Sequence, residues 1–158
     1  MPLTLLPTLP PLPVPQHKQI QLADCLAACA SMLIAYAGRS VDYRQLLELL
    51  QIGPLGTLRR HVFALDAPRF SSDVSRSHPA AAGRLSSGQA AGHRLCRYRR
   101  TALLVIDHQS AVVVGTTEDQ ILVNDPAFDA APLSIPIGNF ELAWLNCDNA
   151  CALIDVIN

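Results

Sequence analysis

Four residues of this chain could together carry out nucleophilic chemistry: Cys25, His108, Asp125 and Gln19. A thiol attacks as thiolate, so it needs a neighbour to take its proton, and imidazole titrates in the right range. The imidazole in turn needs a carboxylate or amide to fix its tautomer. The oxyanion of a tetrahedral intermediate needs preset donors. The backbone N–H of Cys25 can be one, and the side chain of Gln19 just upstream can be the other. Taken singly, none of the four is specific. A histidine ahead of a strand is usually surface, Asp-Pro after a strand is usually a turn, and a small buried cysteine is common. Their meaning depends on the elements that position them.

Cys25 opens thirteen residues, Cys25 to Ala37, that carry no charge. Asp24 is suited to cap a helix at its start and Gly38 to stop it. A helix apolar on every side belongs in the centre of a domain. It is too short to span a bilayer, which takes about 20 residues. Cys25 is then the first helical residue, where unpaired N–H groups and the helix dipole favour a thiolate. A second helix is expected from Ser40 or Asp42, with Tyr43, Leu46, Leu47 and Leu50 on one face and Gly53-Pro54 as its end. A shorter third helix is expected around Leu58 to Leu65. The strands come last: Ala102 to Asp107, Ala111 to Thr116, and Ile121 to Asn124 after a turn at 117–120. A short helix over Asn139 to Leu145, with Phe140 and Trp144 inward, precedes a final strand, Cys151 to Ile157. A helical half followed by an antiparallel half reads as α+β. A tight hairpin can then place His108 and Asp125 side by side at one end of the sheet.

At 158 residues, half of them hydrophobic, the chain has the size of one domain with a real core. A net charge of −1 gives no overall steering toward nucleic acid. The charge is nonetheless unevenly spread. Nine of the twelve Lys and Arg lie between Arg59 and Arg100, opposed only by Asp66 and Asp73, so this third is about +7 and the remainder about −8. Within it Ser71 to Arg94 has no clean period and reads as a long surface insertion at about 66–100. A polyanion-binding patch is the sharper reading, but the interleaved aromatics of a single-strand platform are absent. A local reading-frame error would also produce such a stretch. The N-terminal MPLTLLPTLPPLPVP is apolar, lacks an early positive charge and is broken by prolines, so 1–15 reads as an extended leader on or off the domain 16–158. Without a signal or membrane span the expected location is cytoplasmic, with reduced thiols and no disulfide framework.

In order and context these residues resemble a known family. The stretch Gln19…Asp24-Cys25-Leu26-Ala27-Ala28-Cys29…Met32…Tyr36-Ala37-Gly38 is similar to the nucleophile block of the bacteriocin-processing cysteine peptidases. These are papain-like enzymes that remove double-glycine leader peptides, often as the N-terminal domain of an export transporter. The stretch Asp107-His108…Ala111-Val112-Val113-Val114-Gly115…Val123-Asn124-Asp125-Pro126-Ala127-Phe128…Phe140…Trp144 resembles their His and Asp block. The resemblance covers roughly 14–65 and 102–157, and the basic middle lies outside it. It implies a papain-like domain in which a central buried helix packs on the C-terminal antiparallel sheet. Cys25 would be nucleophile, His108 base, Asp125 its orienting partner and Gln19 the oxyanion residue. It implies a peptide or protein substrate, with small residues such as Gly-Gly before the cut, and no metal or organic cofactor. Any transport role would need a separate membrane exporter. In the family the histidine sits immediately before the apolar strand, whereas Gln109 and Ser110 intervene here. His17, His61, His78 and His93 are weaker candidates, since none borders a confident strand.

Three rival readings remain open. A papain-like module with the displaced histidine could bind a peptide without cutting it. The same thiol–imidazole pair could transfer an acyl group to an amine instead of water. Cys25/Cys29 and Cys147/Cys151 form two i,i+4 pairs, but neither has the two-residue spacing usual for zinc knuckles.

Overall fold

The structure is a computed structural model, and it describes residues 8, 10–58, 61, 64, 101–106, 109–145 and 151–154. The expected basic insertion at 66–100, His78, His93 and His108 lie outside the described residues, as does Cys147.

Helix α1, Cys25–Tyr36, buries every residue from Leu26 to Leu33, as its lack of charge demands. It stops as expected. Gly38 adopts φ +75°, and Gly38 N–H and Arg39 N–H bond back to Ala35 and Ile34 carbonyls. This closes a Schellman motif around a residue with no Cβ penalty. Helix α2, Tyr43–Leu49, starts at Asp42, whose carboxylate accepts from Gln45 N–H at 3.1 Å. It ends before Gly53-Pro54: Gln51, at φ +53°, takes the left-handed position, and Ile52 N–H bonds Leu47 O. The helix therefore closes its own carbonyls two residues before the glycine and proline expected to stop it. Most of the expected third helix lies outside the described residues.

Five antiparallel strands follow: β1 Thr101–Ile106, β2 Gln109–Thr116, β3 Gln120–Asn124, β4 Leu133–Pro136 and β5 Cys151–Ile154. The order across the sheet is β4-β3-β2-β1-β5. Strand β4, not expected from the sequence, is four residues bounded by Pro132 and Pro136 on the sheet edge, where a missing N–H costs least. Helix α3, Ile137–Leu145, follows it directly.

The period-2 alternation of β2 builds a core on each face of the sheet. Val112 and Val114 pack with Leu26, Cys29, Met32 and Leu33 of α1 and with Leu46 and Leu50 from the α2 region. Ala111 and Val113 pack with Ile121, Val123 and the rings of Phe140 and Trp144, whose centroids are 5.8 Å apart. Both aromatic residues face inward as expected. A bulge between Val113 and Gly115 leaves Val114 out of the β2–β3 ladder. The Pro-rich segment fills that gap: Leu12 N–H bonds Val114 O at 2.7 Å, Val14 is buried, and Asn124 Nδ2 donates to Val14 O. The described part of that segment therefore lies on the domain. Among the described residues no helix is long and apolar enough to cross a membrane.

Candidate active site

The first turn of α1 is held by the loop that precedes it. Asp24 occupies the position before the helix, yet its side chain does not cap α1. It turns the other way. Its carboxylate accepts Ile20 N–H at 3.2 Å, Gln21 N–H at 3.1 Å and the Tyr43 hydroxyl at 2.9 Å. The expectation of a side-chain cap fails because these three donors outside the helix occupy the carboxylate oxygens. Asp24 is fully buried, while Ile20 and Leu22 of the same loop are largely exposed. Cys25, next in sequence, is half-buried, and Cys29 one turn later is fully buried; both are free thiols.

Gln19 and Asp125 come together through a third residue. Gln109, the first of β2, donates from Nε2 to Gln19 Oε1 at 3.0 Å and to Asp125 Oδ1 at 3.2 Å. Asp125 Oδ1 also accepts Ala127 N–H at 2.9 Å. Gln16 Nε2 clamps the same turn by donating to the carbonyls of Asp125 and Phe128, each at 2.8 Å, and Gln19 N–H bonds Pro126 O. The chain from 16 to 19 is thus tied to the turn after β3. By sequence alone Gln109 is one of two residues that intervene between His108 and the apolar strand. The signal available was its place in the pleat: with Ala111 and Val113 it shares the face on which Asp125 falls by the Val112–Asn124 pairing.

Gln19 is oriented by this contact. With Oε1 on Gln109, its Nε2 faces the loop and donates to Gln21 O at 3.0 Å and Leu22 O at 3.3 Å. Ser110 is buried on the α1 face of β2, with Val112. Strand β2 starts early, at Gln109, and its bulge is at the opposite end, Val113–Gly115.

Two charges near Cys29 report how closely the pieces meet. Its thiol is pushed well above its ordinary 9.0, first by burial and then by the nearby Cys25 and Asp125. Tyr43 is pushed up by burial, by its hydrogen bond to Asp24, and by the charges of Asp24, Cys29 and Cys25. Cys25, Asp125, Asp24 and Tyr43 therefore share one electrostatic neighbourhood around the first turn of α1. The two described histidines serve other purposes. Ser31 Oγ donates to Ala28 O, so it accepts from His17 Nδ1–H at 2.8 Å, six residues or about 9 Å of helix rise beyond Cys25. His61 Nδ1 lies 2.8 Å from Thr57 Oγ1 and 3.2 Å from Leu50 O, at the end of α2.

No protein-family model and no curated protein matches the sequence. Three solved structures share the architecture over nearly the whole chain. A double glycine motif protease from an AMS/PCAT transporter, in complex with its leader peptide, is 19% identical with a TM-score of 0.66, covering 91% of each chain. A putative C39-like peptidase from Bacillus anthracis is 13% identical with a TM-score of 0.63, over 92% of this chain and 96% of that one. The peptidase domain of Streptococcus ComA, a bi-functional ABC transporter of a quorum-sensing pathway, is 17% identical with a TM-score of 0.64, over 92% and 99%. The chain has the papain-like α+β fold of these double-glycine, C39-like peptidase domains.

Proposed function

We propose that this domain is a cysteine peptidase acting on a peptide, with Cys25 as its nucleophile. The observation that carries this reading is the half-buried thiol at the first position of a buried helix, with Gln19 and Asp125 gathered beside that turn. In the proposed reaction the Cys25 thiolate attacks the peptide carbonyl and His108 holds the proton taken from the thiol. The Cys25 N–H holds the oxyanion, and Gln19 Nε2 joins it by exchanging its bonds to the Gln21 and Leu22 carbonyls for the oxyanion. The amine leaves with the proton from His108, and water then releases the acid from the thioester. Asp125 orients the imidazole. The substrate class, a peptide with small residues such as Gly-Gly before the cut, is carried over from the resemblance and from the leader-peptide complex of the first structural relative. An association with a membrane exporter is proposed on the same ground.

A second reading is favoured by Gln109. Its amide holds the contact with Asp125 that an orienting carboxylate would give to an imidazole, and an amide nitrogen cannot take a proton. On this reading the domain binds a peptide without hydrolysing it.

One experiment separates the two. Iodoacetamide labelling at neutral pH, read residue by residue by mass spectrometry, is run beside turnover of a double-glycine peptide. The peptidase reading expects Cys25 to label far faster than the other four cysteines. It also expects turnover that Cys25→Ala abolishes and Cys29→Ala largely spares. An unreactive Cys25 with no turnover, but with saturable peptide binding, would sink it in favour of the binding module.

A further inference from the structure

The buried carboxylate of Asp24 is used by neither reading above, and its surroundings are unusual. It is 0% exposed beneath a loop whose Ile20 and Leu22 are 74% and 95% exposed. Taking a carboxylate out of water is costly unless donors satisfy it. Here the donors are two backbone N–H groups of the loop and one hydroxyl from another helix. The oxygens divide the work: Oδ1 holds Gln21, while Oδ2 holds both Ile20 and Tyr43. The carboxylate is thus the knot between three things. It joins the loop that begins at Gln19, the first residue of α2, and the residue whose peptide bond leads to Cys25. Gln19 in turn donates to the carbonyls of Gln21 and Leu22, so its side-chain direction depends on how that loop is held.

We propose that Asp24, braced by Tyr43, is the positioning residue of the thiol site: it fixes the 19–24 loop, and with it the Gln19 amide and the entry of Cys25 into α1. The proposal rests on the reading of Cys25 as the reactive thiol. Ordinary capping would have served α1 by bonding its own first N–H groups. In this chain the carboxylate bonds none of those N–H groups and spends its acceptors on the loop instead. The negative charge is compensated by the positive end of the α1 dipole and by the three donors. Asn at this position would keep one acceptor but place an NH2 where Oδ2 now receives Ile20 N–H and the Tyr43 hydroxyl. A donor would then face donors.

The test uses the full chain in three variants: Asp24→Asn, Tyr43→Phe, and Asp42→Ala as control. Asp42 caps α2 and is one residue from Tyr43, so its loss weakens the same helix without touching the Asp24 bonds. Two quantities are read: amide exchange at Ile20 and Gln21, and the rate and pH profile of Cys25 alkylation. In Asp24→Asn exchange at Ile20 should rise about fivefold or more, the worth of one such hydrogen bond. The rate of Cys25 alkylation should change about threefold or more, since the loop that sets the thiol's entry into α1 is no longer held. Tyr43→Phe keeps the charge and the volume but cuts the brace. It should raise exchange at Ile20 and Gln21 and change the Cys25 rate about threefold or more. It also keeps the test open if Asp24→Asn does not fold. Asp42→Ala should leave both quantities unchanged. The proposal is overturned if Tyr43→Phe behaves as wild type in both, or if Asp42→Ala alters Cys25 as much as Tyr43→Phe does. An unreactive wild-type Cys25 would refute the nucleophile reading by itself, while the exchange data would still decide whether Asp24 holds the loop.

Discussion

Replacing Gln109 with alanine tests the contact that joins Gln19 to Asp125. The substitution removes two hydrogen bonds, 3.0 Å to an amide oxygen and 3.2 Å to a carboxylate oxygen. A typical neutral bond contributes about 1 kcal/mol and one to a charged group about 1.5–3 kcal/mol. Here the second is long, and the site is only half-buried, so water replaces part of what is lost. The expected net cost is about 1–2 kcal/mol. At about 2–4 °C per kcal/mol for a domain of this size, Tm should fall by roughly 2–8 °C. Urea denaturation of the single variants and of the pairs with Asp125→Ala and Gln19→Ala completes two double-mutant cycles. Each should return a coupling of about 0.5–1.5 kcal/mol, because the partners share one network. The reasoning fails if Gln109→Ala costs under about 0.3 kcal/mol and both cycles are additive, for then the bridge has no energetic reality.

Other perturbations probe the scaffold. Leu33→Ala empties part of the core between α1 and β2 and should cost about 2–5 kcal/mol by denaturant melt, since Leu33 is 1% exposed. Asp42→Ala removes the α2 cap and should cost about 1 kcal/mol in the same assay. Stability should fall with alkaline pH, followed by urea midpoints. Cys29 and Tyr43 both hold their protons more tightly in the fold than their ordinary 9.0 and 10.0 allow. Below those values both states are protonated and the contribution is intact. Above them the unfolded chain releases its protons first, and stability drops as pH climbs from about 9 toward the raised folded values. A flat profile from pH 8 to 11 would contradict both assignments. In the native protein Cys29 should resist alkylation until the chain is unfolded, since its sulfur is fully buried.

Several elements were legible because their physics is local. Thirteen uncharged residues between Asp24 and Gly38 have no solvent face, so α1 had to be central, and Gly38 had to accept the left-handed turn. The β-branched run from Ala111 read as a strand, and Phe140 and Trp144 at i,i+4 spacing share the inward side of one helix, as the structure has them. The order of the Cys25 and Asp125 blocks pointed to the papain-like α+β fold that the structural relatives share.

What tertiary structure decided were choices between acceptors and donors that compete at equal chemical strength. Asp24 is a good capping residue by type, but only the folded chain brings Tyr43 and the Ile20–Gln21 amides to it, and together they outcompete its own helix. Gln19 and Gln109 are ninety residues apart, and nothing local in either says that they will meet. Strand β4 exists because the edge of β3 offers it partners, not because three residues between two prolines prefer extension. The extra residue at Val114 is tolerable because Leu12, from a segment with no period of its own, arrives to satisfy its carbonyl. Sequence pattern sets which residues must leave water. Long-range hydrogen bonding, which is nearly neutral in net energy but costly to leave unmade, sets which polar groups find each other once they have left it.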